Sequence, residues 1–201
     1  MLSPGEQPKS KPISVLRVTL AVLACFAIAA FLFSQRRYIK EYQLYFTEER
    51  KAATFGFSEL SENWTEKSLQ DKFTGFPISC NPYQGNLAAD RVCAVDVKSH
   101  NGVPALFISF FFFGGQLNQV SVNVPWWSHG AAQDSLIAAL GQPTASQFLP
   151  KEGGRLHGWH LTDGSAIFFN RDYPVNPLFW NAISWRSPSS CAQRGCFKSK
   201  V

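Results

Sequence analysis

The 201-residue chain carries 19 Lys and Arg against 14 Asp and Glu, a formal charge of +5, with 5 Cys, 6 Trp and 18 Phe. The charge excess is mild and no block of five or six basic residues occurs, which argues against nucleic acid as a partner. The length suits one folded domain plus a membrane segment, and such a domain buries a core without help from metals.

Residues 1–12, MLSPGEQPKSKP, are Pro-rich without apolar periodicity and predict a short disordered cytoplasmic tail. Residues 13–33, ISVLRVTLAVLACFAIAAFLF, are interrupted only by Ser14, Arg17, Thr19 and Cys25. As a helix the run covers about 30 Å, the thickness of a hydrocarbon core, and predicts a single transmembrane helix or uncleaved signal anchor. Cleavage after Ala27-Ile28-Ala29 would leave Ala30-Phe31-Leu32-Phe33 apolar beyond the cut, unlike a signal peptide. A lipid site at Cys25 would need Val22-Leu23-Ala24-Cys25 to act as a lipobox, with a bulky Leu23. A buried helix of a soluble domain fits poorly, because the run is too long and too uniform.

Basic residues lie at both ends of the run (Lys9, Lys11 and Arg17 on or near the amino side, Arg36, Arg37 and Lys40 close on the other), so charge alone does not orient it. Cysteine use does. Cys80, Cys93, Cys191 and Cys196 lie beyond the helix, an even count that suits two disulfides, and disulfides persist outside the cytosol. The expected location is the bacterial inner membrane, single-pass, with the amino terminus cytoplasmic and the domain periplasmic.

Residues 34–54 lack Gly and Pro and predict a juxtamembrane helix, with Tyr38, Tyr42 and Tyr45 on one face. Aromatic residues there suit the membrane interface, the domain surface or another membrane helix. Residues 55–190 predict an extracytoplasmic α+β domain. A helix is expected from Ser58 to Phe73, stopped by Gly75 and Pro77. Strands are expected at Arg91–Lys98, Val103–Phe113 and Gln116–Val124, the last two joined at Gly114-Gly115, as an antiparallel meander. Leu117 falls out of phase with Val120, Val122 and Val124. Cys80 falls in the loop before the first strand, where a bridge to Cys93 would tie loop to sheet.

The order then repeats. Ala131–Leu140 predicts a helix ended by Gly141, and Arg155–Thr162 and Ser165–Asn170 predict strands joined by a type I′ turn at Asp163-Gly164. Asn181–Arg186 predicts a third strand. The fold class is therefore α+β, an N-terminal transmembrane helix followed by helices packed on antiparallel sheet, in two helix-plus-three-strand halves. Residues 191–201 form a tail in which Cys191 and Cys196 can close a local disulfide.

Leu136, Leu140-Gly141-Gln142-Pro143-Thr144, Trp159-His160-Leu161, Asp163-Gly164 and Ile167 give the second half a helix stop followed by a tight hairpin. This stretch resembles small periplasmic domains of the SmpA/BamE type, whose fold occurs in tandem in β-lactamase-inhibitor proteins. The resemblance implies helices on an antiparallel sheet and an accessory or assembly role in the bacterial envelope, with no active-site residues.

Candidate chemistry is sparse. His157 and His160, three apart on a strand, point to opposite faces and share no ligand, and a four-cysteine zinc site fails on the Cys80–Cys93 spacing. No nucleophile elbow, phosphate loop or dinucleotide fingerprint occurs. No catalytic residue, metal or cofactor is expected. Exposed aromatic pairs are the better lead: Trp126-Trp127 follows a strand, and Phe179-Trp180 closes a Pro-containing loop. The alternative is that both pairs fill the core. The expected function is a non-enzymatic accessory or scaffold protein binding other membrane or envelope proteins, with residues 13–33 in the lipid bilayer. A ligand-binding or inhibitor module is the second reading, and a membrane-tethered hydrolase the third.

Overall fold

The computed structural model describes residues 15–85, 87–149 and 154–196. The expected tail at 1–12 lies outside them. The chain divides into two compact units, Met1–Lys40 and Glu41–Val201.

In the first unit, helix α1 (Val15–Ser34) contains a stretch, Leu16–Ser34, of mean hydropathy 2.4 with none of it buried. It is long and apolar enough to cross a membrane. Cys25 is a free, exposed thiol on it. The helical ladder falters at Gln35, whose N–H is shared between the carbonyls of Phe31 (3.0 Å) and Leu32 (3.2 Å). Ser34 adds to this by donating its hydroxyl to the Phe31 carbonyl at 2.7 Å, a bond that competes with the ladder. A second helix, α2 (Arg36–Thr47), follows and carries the chain into the second unit.

The expected helix to residue 54 stops at Thr47, and the reason is tertiary. The buried Arg50 side chain donates to Glu41, Glu48 and the Leu106 carbonyl, folding the chain back beside α2. Residues Ala52–Ala53 then become strand β1. The helix expected from Ser58 is likewise corrected. A single 3₁₀ turn spans Phe57–Glu59, and α3 (Glu66–Lys72) begins only where Thr65 caps it. Thr65 Oγ1 accepts from the Ser68 N–H and Ser68 Oγ accepts from the Thr65 N–H, each at 3.3 Å, a reciprocal cap that fixes the start of α3.

The strands are β2 (Ile78–Pro82), β3 (Arg91–Asp96), β4 (Ser99–His100), β5 (Val103–Pro104), β6 (Phe107–Phe113), β7 (Gln116–Val124), β8 (Ala145–Leu149), β9 (Gly154–His160), β10 (Ala166–Asn170) and β11 (Asn181–Arg186). The helices α4 (His129–Leu140) and α5 (Pro188–Arg194) complete the domain. One 8-stranded sheet runs β2-β3-β6-β7-β11-β10-β9-β8, antiparallel throughout, and a small sheet pairs β1, β4 and β5.

The two expected halves are present with four strands each rather than three. Helix α3 precedes β2, β3, β6 and β7, and α4 precedes β8, β9, β10 and β11. The halves join through their last strands, β7 against β11, so the order of the first half is mirrored in the second. Cys80 lies on β2 instead of in a loop, directly opposite Cys93, and the two form a disulfide. Cys191 and Cys196 form the second, across the end of α5.

The out-of-phase Leu117 is explained by a bulge. Pairing of β6 with β7 shifts between Phe111 and Phe112, which sets Leu117 against Phe112 with both buried in the core. The Asp163-Gly164 hairpin is not type I′, because Asp163 has negative φ and only Gly164 is left-handed, at φ 87°. Leu161 accepts from the Gly164 N–H at 3.1 Å, a type I turn closed by a glycine bulge. The type I′ pattern occurs instead at Asn101-Gly102, with φ of 50° and 82°, joining β4 to β5.

One sheet face carries the core. Cys93, Val95, Ile108, Phe110, Val120, Val122, Ile183, Trp185, Ile167 and Trp159 fall on it by register, packed under Leu69 and Phe73 of the α3 segment and Ala132 and Leu136 of α4. Trp159 also donates its indole N–H to the Gly141 carbonyl at 2.9 Å, fixing the end of α4 over β9.

Candidate functional site

An exposed aromatic ridge stands where α2 meets the end of β7. Helix α2 turns Tyr42 and Tyr45 inward, where they bury against Leu106 with Phe107, Leu178 and Trp180 packed around them. Tyr45 donates its hydroxyl to the Lys98 carbonyl at 2.9 Å. Residue 46, one position on, is left facing outward: Phe46 is 66% exposed. β7 ends at Val124, and the 3₁₀ turn Trp126–Ser128 then lifts two indoles out of the sheet, 40% and 41% exposed. The Trp127 ring lies 5.9 Å from Phe46, 5.2 Å from Tyr42 and 6.1 Å from Trp126, so these rings form one continuous surface.

The loop before β11 borders this cluster through Leu178 and Trp180 and presents Phe179, 39% exposed. Trp180 itself packs edge-on against Phe107 at 5.4 Å. Thus Trp126, Trp127 and Phe179 are exposed, whereas Tyr42 and Tyr45 are buried and Trp180 packs with them. Tyr38 belongs to the first unit. The Tyr42 hydroxyl is buried beside the Trp126 backbone, and burial, offset in part by that backbone's hydrogen bonding, pushes its phenol up to about 12.

Two histidines, His100 and His129, are buried. His100 Nε2 lies 3.1 Å from the Phe55 carbonyl, its ring packs on Phe55 and Phe57, and burial pushes it down to about 4. It borders a cavity of about 130 Å³ lined also by Phe57, Asn101, Ala132 and Leu136, with no carboxylate on its wall. His129 sits between Asn181 (2.6 Å) and the Arg171 carbonyl (3.2 Å) under Phe169 and Tyr173, and burial lowers its pKa also. His157 and His160 fall on opposite sheet faces, as their spacing requires. Glu66, Cys80 and Cys93 gather their donor atoms within 4.8 Å, but the disulfide occupies both sulfurs and Arg91 pairs with Glu66.

No family model matches this sequence, and no curated protein matches it. Among solved structures, a DUF4309 family protein (YjgB) of Bacillus subtilis subsp. subtilis str. 168 is similar at a TM-score of 0.39 and 10% identity, covering 63% of this chain and 80% of that one.

Phe46 is the ridge residue that sequence reasoning missed. No local signal marked it, since Phe46 lies four residues after the buried Tyr42 and helical spacing alone would turn it inward too.

Proposed function

We propose that this chain is a membrane-anchored extracytoplasmic accessory or scaffold protein that binds other envelope proteins through the aromatic ridge. The observation that carries the reading is the ridge itself. Phe46, Trp126 and Trp127 expose contiguous aromatic surface, and exposed Trp and Phe of this kind are the anchors of protein interfaces. The apolar helix α1 would serve as the uncleaved anchor in the bacterial inner membrane, amino terminus inside. Two disulfides in the second unit support an oxidising compartment for the domain. The class agrees with the SmpA/BamE-type accessory domains that the stretch from Leu136 to Ile167 resembles.

Affinity purification of the full chain from native membranes in mild detergent tests this reading. A membrane or envelope protein is expected to co-purify stoichiometrically, and the double variant Phe46→Ser, Trp127→Ser is expected to lose it while keeping its melting temperature within a few degrees. A chain that purifies alone, or a partner retained by the variant, contradicts the proposal.

A further inference from the structure

The sheet face opposite the core carries a recessed, hydroxyl-lined trench. Register aligns Ser79, Ala94, Ser109, Ser121 and Ser184 across β2, β3, β6, β7 and β11, nothing larger than serine on five successive strands. At strand spacing this floor is about 19 Å long. One wall is Phe107 and Asn123, and the other is Val92, Phe111, Gln119 and Arg186. The next residue in the row, Phe168, closes the end. Val92, Phe111, Gln119, Ser184 and Arg186 are each half-buried, whereas Ser109, Ser121 and Asn123 at the middle of the face are buried.

Two features bear on the ligand. Ser109 is only 8% exposed, and register turns it into the trench. Its neighbour Ser121 accepts from Gln119 at 3.3 Å. Arg186 stands at the closed end with its guanidinium 4.8 Å above the Phe168 ring and no carboxylate partner among the described residues. Burial, and then the like charge of Arg194, hold its pKa below the ordinary value. A desolvated cation beside a second one is a site short of negative charge. Asp96, on the far wall next to Phe107, is offset by Arg50 instead.

We infer that this trench binds an acidic saccharide, with sugar hydroxyls bonded to Ser109, Ser121, Ser184 and Gln119 and a carboxylate held by Arg186. Small neutral hydroxyls and an amide match a polyol, aromatic rims match sugar faces, and Arg forms the bidentate pair with a carboxylate. A peptide fits less well. Backbone N–H and C=O groups of interior strands are already spent on the ladder, and a Ser/Ala floor offers no side-chain pockets.

The trench uses none of the ridge residues, so saccharide binding and partner docking fail independently. The test is calorimetric titration of the full chain in nanodiscs with trigalacturonic acid, maltotriose and triglutamate. Trigalacturonic acid is expected to bind with a dissociation constant in the micromolar to millimolar range, more tightly than the other two. Arg186→Gln should weaken it about ten-fold or more, Ser184→Leu should block it by filling the floor, and Phe46→Ser should leave it unchanged. No binding of trigalacturonic acid, equal affinity in the Arg186→Gln and Ser184→Leu chains, or triglutamate binding as tightly would overturn the inference, the last in favour of a peptide.

Discussion

Trp185→Ala is expected to destabilise the second unit by about 3–5 kcal/mol, the cost of deleting a large buried aromatic side chain. Trp185 is fully buried at the seam between the halves, opposite Val120 of β7 on one side and Ile167 of β10 on the other. Its loss would open a cavity where the two four-stranded halves are joined, and neither neighbour is long enough to refill it. For a domain of this size the melting temperature should fall by roughly 10 °C or more. Trp185→Phe is the informative contrast. The indole Nε1–H is buried without a partner, so phenylalanine forfeits packing but no hydrogen bond and relieves one unsatisfied donor. Thermal melts followed by circular dichroism should therefore rank wild type and Trp185→Phe close together, with Trp185→Ala far below. Equal losses in both variants would show that the indole is held by a bond and not by packing.

Acid is expected to weaken the fold through His100. Its folded pKa is about 4, depressed by burial, against an ordinary value near 6.5. Between these values the unfolded chain binds a proton that the folded one refuses, so lowering the pH favours unfolding. Stability is thus complete above pH ~6.5 and is lost progressively down to pH ~4, by about 3 kcal/mol in order of magnitude. His129, lowered for the same reason, adds in the same direction. Denaturant unfolding at pH 7, 5.5 and 4 checks this. The midpoint should fall with pH in wild type, and a His100→Gln chain, less stable at pH 7, should show a flatter slope. A midpoint independent of pH over that range would contradict a neutral, buried His100.

Much of the sheet was legible along the chain because its central strands alternate. In β7, Val120, Val122 and Val124 alternate with Ser121 and Asn123, and in β11 Ile183 and Trp185 alternate with Ser184. β2 and β8 were not, for different reasons. β2 holds Asn81 and Pro82, tolerable only because it is an edge strand, and β8 is an edge strand reading ASQFL with no alternation. β4 and β5 are two residues each, although Asn101-Gly102 was a signal for their turn. The end of α2 depended on Arg50 reaching the Leu106 carbonyl, 56 positions away in sequence, which no local propensity encodes.

The candidate sites divide in the same way. Trp126, Trp127 and Phe179 were visible as aromatic residues in loops, but whether the two indoles faced inward depended on the 3₁₀ turn after β7. The trench was invisible, since Ser109, Ser121 and Ser184 become neighbours only through the register of β6, β7 and β11. Serines scattered along a chain carry no pattern until the strands are paired.

Photo-crosslinking in intact membranes tests the central claim most directly. A photoreactive phenylalanine analogue would be placed at Phe46 on the ridge and, as a control of similar exposure, at Phe148 on β8. A discrete crosslinked protein band from position 46 and none from position 148 is the predicted result. Crosslinks to lipid alone from position 46, or the same protein band from both positions, would contradict the ridge as a docking surface for an envelope partner.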